Sequence, residues 1–281
     1  MYSITYNNFT LTNDSNHTIE VLDGISGVDV RNSEDFITGA DGGNIWEQKL
    51  GMRVITIQGI IFTSTDTTST DFSAYYALRA TVAKCFVLNP TSNVLTVTKS
   101  DGTTSTATAK VYAIPEFKET AGDAGECIYT VVLKIENPYW QDSSTVSGSV
   151  GVTTVGGMPI PAPVPMPIGG TTNTITVINA GDYAVYPTIL ITGQITNPSV
   201  TNITTGATFN LGMTVTSGQT ITTQRDTKGL YITSGGVSYF QYLNGDLFTI
   251  PVGTSVIAFS GTATDVSALM SISFTQAYTS L

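Results

Sequence analysis

Between Met158 and Pro167 every second residue is proline, in the run Met-Pro-Ile-Pro-Ala-Pro-Val-Pro-Met-Pro. Each proline fixes its own φ and pushes the residue before it into extended geometry, so the run reads as a semi-rigid polyproline spacer. A strand is a poor reading, because alternate N–H donors are missing. A ligand for an SH3-like partner is the other use such a sequence has. The Ser/Gly/Val-rich residues 143–157 lead into it, and the charge pattern changes at the same place. Up to Asp142 there are 9 Lys+Arg and 17 Asp+Glu; after it only Arg225, Lys228, Asp182, Asp226, Asp246 and Asp265 remain. The sequence therefore predicts a first domain over 1–142, a linker over 143–170 and a second domain over 171–281.

The chain has 281 residues, enough for two ordinary cores. About one residue in six is threonine, and charged residues make up only 11%. Thr, Val, Ile and Tyr fit a pleated, half-buried surface, whereas the helix formers Lys, Glu and Ala are scarce. The expected class is mainly β.

The net charge of −10 argues against ordinary nucleic-acid binding, which needs a basic face to neutralise phosphates. It is compatible with a surface that DNA passes without sticking. Met-Tyr-Ser-Ile-Thr-Tyr has neither a basic start nor an apolar h-region, so no signal peptide is expected. The apolar runs are strand-sized, so no membrane insertion is expected either. Cys85 and Cys127 are too few for a disulfide scaffold. They could pair in space, but two buried free thiols in a protein made in cytoplasm fit better.

In the first domain, Tyr2–Leu11 alternates loosely and breaks at Asn7-Asn8. Ile19–Val30 reads as a strand or hairpin punctuated by Asp23-Gly24. Arg31–Gly51 shows no periodicity yet carries Ile45, Trp46 and Leu50, so we expect an arm that packs on something else. An ordinary loop folded over its own sheet is the alternative. Arg53–Phe62 alternates cleanly as a strand. Thr63–Thr70 is a low-complexity polar loop. Asp71–Phe86 is the one convincing helix, with Asp71 as N-cap and Asn89-Pro90 as its stop. Strands follow at Val94–Thr98, Ala107–Ile114 and Cys127–Glu136, and Asn137-Pro-Tyr-Trp140 closes the domain.

The second domain repeats short alternating runs at Thr174–Ile178, Thr188–Thr192, Thr208–Val215, Gln219–Thr223, Leu230–Thr233, Val237–Leu243, Ser255–Phe259 and Leu269–Phe274. Short strands at this density, with almost no charge, predict a β-sandwich or jelly roll.

Chemistry is sparse. The single histidine, His17, lies in an Asn/Asp/Ser/Thr stretch and is expected in solvent. No nucleophile elbow, zinc spacing, phosphate loop or Ca²⁺ loop occurs. Two carboxylate groups, Glu34/Asp35 with Asp41 and Glu116/Glu119 with Asp123/Glu126, could serve a polysaccharide hydrolase. Solvated loop charges explain them as well, so the chain is expected not to be an enzyme. No catalytic residue, cofactor or metal ligand is expected. Sugar stacking would need exposed aromatics, for which Tyr231, Tyr239 and Tyr242 are the candidates; Tyr239 and Phe240 are adjacent, so one of them should face the core.

Tyr6-Asn-Asn-Phe9, the loop Gly39-Ala-Asp-Gly-Gly43, the strand Arg53–Ile60, a single helix with Leu78-Arg79 and the closing Asn137-Pro-Tyr-Trp140 together resemble the N-terminal domain of siphophage distal tail proteins (Dit). Ile178-Asn-Ala-Gly-Asp182, Tyr186-Pro-Thr-Ile-Leu-Ile-Thr-Gly193, Asn197-Pro198, Asn202-Ile-Thr-Thr-Gly206 and Ile250-Pro-Val-Gly253 are similar to that family's galectin-like sandwich. The resemblance spans nearly the whole chain. It implies a tail-tube-type, barrel-like first domain that forms a homohexameric ring around a DNA channel, with the sandwich domains pointing outward. It further implies a structural subunit of the tail tip, a hub in the virion at the distal end of the tail, made in the host cytoplasm. Its implied partners are the tail tube protein, the tail-associated hub protein and the tape measure protein, with DNA only passing through. Arg31–Gly51 would be the arm between subunits, with Ile45, Trp46 and Leu50 as its apolar contacts. A receptor- or glycan-binding module acting through the C-terminal sandwich is the competing expectation.

Overall fold

A computed structural model describes residues 2–14, 16–36, 41, 43–62, 72–89, 91–119, 125–152, 173–226, 229–263 and 268–281. The chain divides into two compact units, Met1–Ser143 with Tyr278–Leu281, and Ser144–Ala277. Both are mainly β, and among the described residues the one α-helix lies in the first.

In unit 1 the strands are β1 (Ser3–Tyr6), β2 (Phe9–Leu11), β3 (His17–Asp23), β4 (Val30–Phe36), β5 (Gly43–Leu50) and β6 (Arg53–Phe62). Helix α1 (Ser73–Cys85) follows, then β7 (Asn93–Thr98), β8 (Thr104–Glu119), β9 (Glu126–Ile135) and the start of β10 (Trp140–Gly151). The break at Asn7-Asn8 is a two-residue hairpin: both residues have positive φ (50° and 63°), and Tyr6 faces Phe9. These angles match the primed turn whose twist suits a hairpin, and Asn tolerates them better than most residues.

Strand β8 organises the unit. Its first residues pair with β7, its later ones with β9, and the ladder is bulged between Val111 and Ala113 and again between Ala113 and Glu116. Bulges let one strand bend and serve two parts of a sheet, so β2-β1-β7 and β9-β6-β3 enclose one core. The alternation of β6 is borne out. Ile55, Ile57 and Ile61 are buried, and Val54, Thr56, Gln58 and Ile60 lie on the other face. Helix α1 closes the core with Tyr75 and Val82, followed by Phe86, whose ring stacks on Tyr6 at 5.3 Å. The expected N-cap Asp71, the polar loop 63–70 and Pro90 lie outside the described residues.

Unit 2 contains the rest of β10, then β11 (Thr174–Asn179), β12 (Thr188–Thr192), β13 (Ile195–Asn202), β14 (Thr208–Leu211), β15 (Thr214–Val215) and β16 (Thr220–Asp226). After these come β17 (Gly229–Ser234), β18 (Val237–Ser238), β19 (Leu243–Gly245), β20 (Gly253–Ala263) and β21 (Leu269–Tyr278). One layer runs β10-β21-β12-β16-β17-β18 and the other β11-β20-β13-β14-β19, with β15 on β13. Ile191, Ile221, Ile232 and Met270 from the first layer share a core with Val200, Phe209, Ile257 and Phe259 from the second. Buried Asn179 pins the turn after β11: its amide donates to the carbonyls of Tyr183 (2.8 Å) and Ile250 (3.2 Å), and its oxygen accepts from Gly181 N–H (3.1 Å).

Three expectations change, and one strand appears that was not expected. The stretch from Ser143, read as the start of a linker, is strand as far as Gly151. Val146, Val150 and Val152 pack on the second core, and Gly148 leaves room for Ile175, whose Cδ1 lies 2.2 Å from where a Cβ would sit. Residues 153–172, which hold the proline run, lie outside the described residues. Arg31–Gly51 is not structureless but the hairpin β4–β5. Strand β13, over which no strand was expected, carries Asn197-Pro198. It accommodates both at a bulge between Thr196 and Ser199, with Asn197 at φ 50°. Val237–Leu243 is not one strand; a 3₁₀ turn at Phe240–Tyr242 divides it.

Candidate interaction surface

The residues with chemical potential are dispersed. Glu34, Asp35 and Asp41 are exposed; Glu116 pairs with Lys118 at 3.6 Å and Glu119 with Arg79; Asp123 lies outside the described residues. No group of three or more His, Cys, Asp or Glu among the described residues is placed to hold a metal ion. Cys127 is buried and Cys85 half-buried, and both are free thiols. No helix among the described residues is long and apolar enough to cross a membrane.

His17, expected in solvent, is buried. Its Nδ1 lies 2.6 Å from the Thr12 carbonyl oxygen and its Nε2 2.6 Å from the Tyr129 hydroxyl. A carbonyl only accepts, so Nδ1 carries the proton and Nε2 accepts from Tyr129. The polar neighbours Asn13, Asp14 and Asn16 disguised the first residue of β3 as a turn residue. The histidine is a core hydrogen-bonding group, with both ring nitrogens engaged.

The feature that stands apart is the β4–β5 hairpin. Its two strands pair with each other from Val30↔Leu50 to Phe36↔Gly43 and with no other described strand. From Val30 to Asp35 and from Gly43 to Lys49 every described side chain is exposed. Ile45 is 57% exposed and Trp46 71%. Leu50, at the base, is half-buried. Both faces meet solvent, which is why no period was visible in the sequence. The alternative of a loop folded over its own sheet does not occur. A two-stranded ribbon alone is marginal in water, and a large exposed indole is costly to leave uncovered.

The root of this arm is rigid. Arg53, which begins β6, is 1% exposed and, among the described residues, donates only to backbone carbonyls. They belong to Gly24 (2.7 Å), Ile25 (2.8 Å), Gly27 (3.1 Å), Pro138 (3.0 Å) and Thr279 (2.5 Å). Burial lowers its pKa, but a guanidinium starts so high that it stays charged. Gly51 N–H donates to the Asp29 carbonyl at 2.6 Å and closes the base of the hairpin. The sequence pointed to the arm's apolar residues but not to Arg53; the only signal was a charged residue opening an otherwise apolar strand.

In unit 2, Tyr239 packs on the core and its ring lies 5.9 Å from that of Tyr242, at 33°. Phe240 and Tyr242 are exposed and Tyr231 is half-buried on β17. One of the adjacent pair Tyr239 and Phe240 does face inward, although on a 3₁₀ turn. Nearby in sequence, the Arg225 guanidinium lies 4.4 Å from the Tyr186 ring centroid.

No family model matches this chain, and no curated protein does. Among solved structures, the chain is similar to the Dit (gp 19.1) protein of SPP1, described as a paradigm of the hub adsorption apparatus in phages that infect Gram-positive bacteria. The TM-score is 0.66, with 14% identity over 99% of both chains. The phage P2 baseplate in its activated conformation with Ca gives 0.48 at 11% identity, covering 100% of this chain and 99% of that one. The p2 baseplate activated with Sr gives 0.44 at 11% identity over 97% of each. At such identities the likeness is one of fold.

Proposed function

We propose that this chain is a structural subunit of a phage tail baseplate, a hexameric ring hub that joins the tail tube to the host-recognition apparatus and leaves a channel for DNA. The observation that carries this reading is the correspondence of fold with the SPP1 Dit protein over 99% of both chains. Unit 1 is the ring-forming part, and the β4–β5 hairpin is the arm that reaches a neighbour with Ile45 and Trp46. Unit 2 is the galectin-like outer domain. The partners are the tail tube protein, the tail-associated hub protein and the tape measure protein. A chain with net charge −10 repeated around a bore would let DNA slide without adhering.

Particle mass in solution is the test. Analytical ultracentrifugation should give six times the monomer mass, and negative-stain images should show rings with an axial hole. A chain that stays monomeric at every concentration, and forms no ring with tail tube protein, contradicts the reading.

The Tyr239–Tyr242 pair beside exposed Phe240 favours a second role, glycan or receptor binding through unit 2. Binding on a host cell-wall glycan array that Tyr242→Ala abolishes supports it; a blank array removes it.

A further inference from the structure

The second layer of unit 2, β11-β20-β13-β14-β19 with β15, is built from strands that carry no charged residue. In an average soluble chain about a quarter of the residues are charged. The inner face of the layer is a wall of the core, with Val200, Phe209 and Phe259 buried. Its outer face is polar. The ladders set Asn244 opposite Asn210, Asn210 opposite Ser199 and Ser199 opposite Ser260, one row across four strands. In the next row Thr208 faces Thr201, and the two hydroxyls bond to each other. The amide pair has capacity left over. Asn244 Nδ2 donates to Asn210 Oδ1 at 3.1 Å, which leaves Asn244 Oδ1 as an acceptor and Asn210 Nδ2 as a donor, without partners among the described residues. Gly212 keeps this place open, since a Cβ there would lie 3.1 Å from Asn244 Nδ2. Tyr242, 38% exposed, stands two residues before Asn244, and its carbonyl accepts from Gly212 N–H at 2.8 Å.

We infer that this outer face binds a neutral glycan, with the Asn210–Asn244 pair holding sugar hydroxyls and Tyr242 covering the apolar side of a sugar ring. The inference rests on the second reading above, glycan binding through unit 2, and names the chemical class of the ligand and the residues that select it. A sugar hydroxyl both donates and accepts, which suits an acceptor and a donor set on neighbouring strands. A tyrosine beside them offers an apolar ring with a polar tip. An anionic polymer would call for a guanidinium or an ammonium group, and these strands supply neither. A protein partner fits less well, because the centres of protein interfaces are enriched in aromatic residues, Met and Arg and depleted in Ser.

Isothermal titration calorimetry of the full chain is the test. The probes are neutral oligosaccharides of glucose, of galactose and of N-acetylglucosamine, with polyglycerol phosphate as the anionic comparison. At least one neutral series should bind, and the polyanion should not. Asn244→Ala and, separately, Asn210→Ala should weaken that binding about tenfold through lost hydrogen bonds. Circular dichroism and the thermal midpoint should show both variants folded. Binding of the polyanion alone overturns the inference and leaves unit 2 a glycan binder of another class. Neutral binding that survives in both amide variants also overturns it; if Tyr242→Ala then abolishes that binding, the second reading stands with its site at the aromatic pair. Blank titrations with every sugar remove both, leaving a protein as the occupant of the face.

Discussion

The Arg53 guanidinium lies 5.5 Å from the centroid of the Trp140 ring, and both side chains donate to one acceptor, the Ile25 carbonyl, at 2.8 and 2.9 Å. A cation on an indole face gains from the ring quadrupole, and more so when water is excluded. The pair ties the segment before the hairpin to the strand after it.

Arg53→Met should therefore destabilise unit 1 by about 3 kcal/mol or more, since several buried carbonyls lose their donor at once. Arg53→Lys should also be costly, because an ammonium cannot reproduce the planar fork. Denaturant midpoints measure the loss, and limited proteolysis should show faster cleavage between residues 24 and 52. A Met variant as stable as its parent would refute this account of the hairpin root.

Tyr129→Phe should cost about 1–3 kcal/mol, because it leaves the buried His17 Nε2 without its donor. Gly59 lies against the same ring. A Cβ there would sit 2.6 Å from both the Thr18 carbonyl oxygen and the Tyr129 hydroxyl. Gly59→Ala should cost about 1–3 kcal/mol by overpacking. The two should be non-additive, with Gly59→Ala milder in the Phe background, as a double-mutant cycle of unfolding free energies would reveal.

Ser255→Ala should leave stability unchanged or raise it by up to about 1 kcal/mol, because its hydroxyl is buried with no hydrogen-bond partner among the described residues. Asn202 differs. Its Oδ1 accepts from the N–H groups of Thr204 (3.1 Å) and Thr205 (3.3 Å), so Asn202→Ala should destabilise. Thermal unfolding of the two variants should move in opposite senses, or at least separate clearly.

Alkaline pH offers a further check. Burial, then the Cys127 thiol, pushes Tyr75 up to about 12, and burial raises Tyr129 as well. A phenol whose folded pKa exceeds its unfolded value near 10 contributes stability that is fully present below pH 10. It is lost as pH climbs towards the folded value. Stability should fall between pH 10 and 12, and Tyr75→Phe should flatten that slope; an unchanged slope would exclude Tyr75 as its source.

Where burial is one-sided, the sequence announced the structure. Ile55, Ile57 and Ile61 alternate with Val54, Thr56 and Ile60, and β6 followed directly. The hairpin was invisible as a hairpin because neither of its faces is buried, so no period could form. Ser144–Gly151 hid behind a linker-like composition, although its valines at 146, 150 and 152 keep the period of two. Strand β13 hid behind Asn197-Pro198, since local turn chemistry cannot reveal that a bulge absorbs it. Of the candidate surface, Ile45 and Trp46 stood out by their apolarity in an aperiodic stretch. Arg53 did not, because its partners are carbonyls of distant segments and leave no trace in local sequence.

Unit 1 ends with residues translated after all of unit 2: Tyr278 and Leu281 pack on its core, and the Thr279 carbonyl accepts from Arg53. During synthesis the amino-terminal unit therefore lacks the packing of Tyr278 and Leu281, and the Arg53 bond to Thr279, until unit 2 has emerged. A strict amino-to-carboxyl order of folding is thereby broken: unit 1 takes up these contacts only after the whole of unit 2 has been made. The root of the β4–β5 hairpin, where Arg53 gathers five carbonyls, thus receives its last acceptor only after unit 2 has been translated.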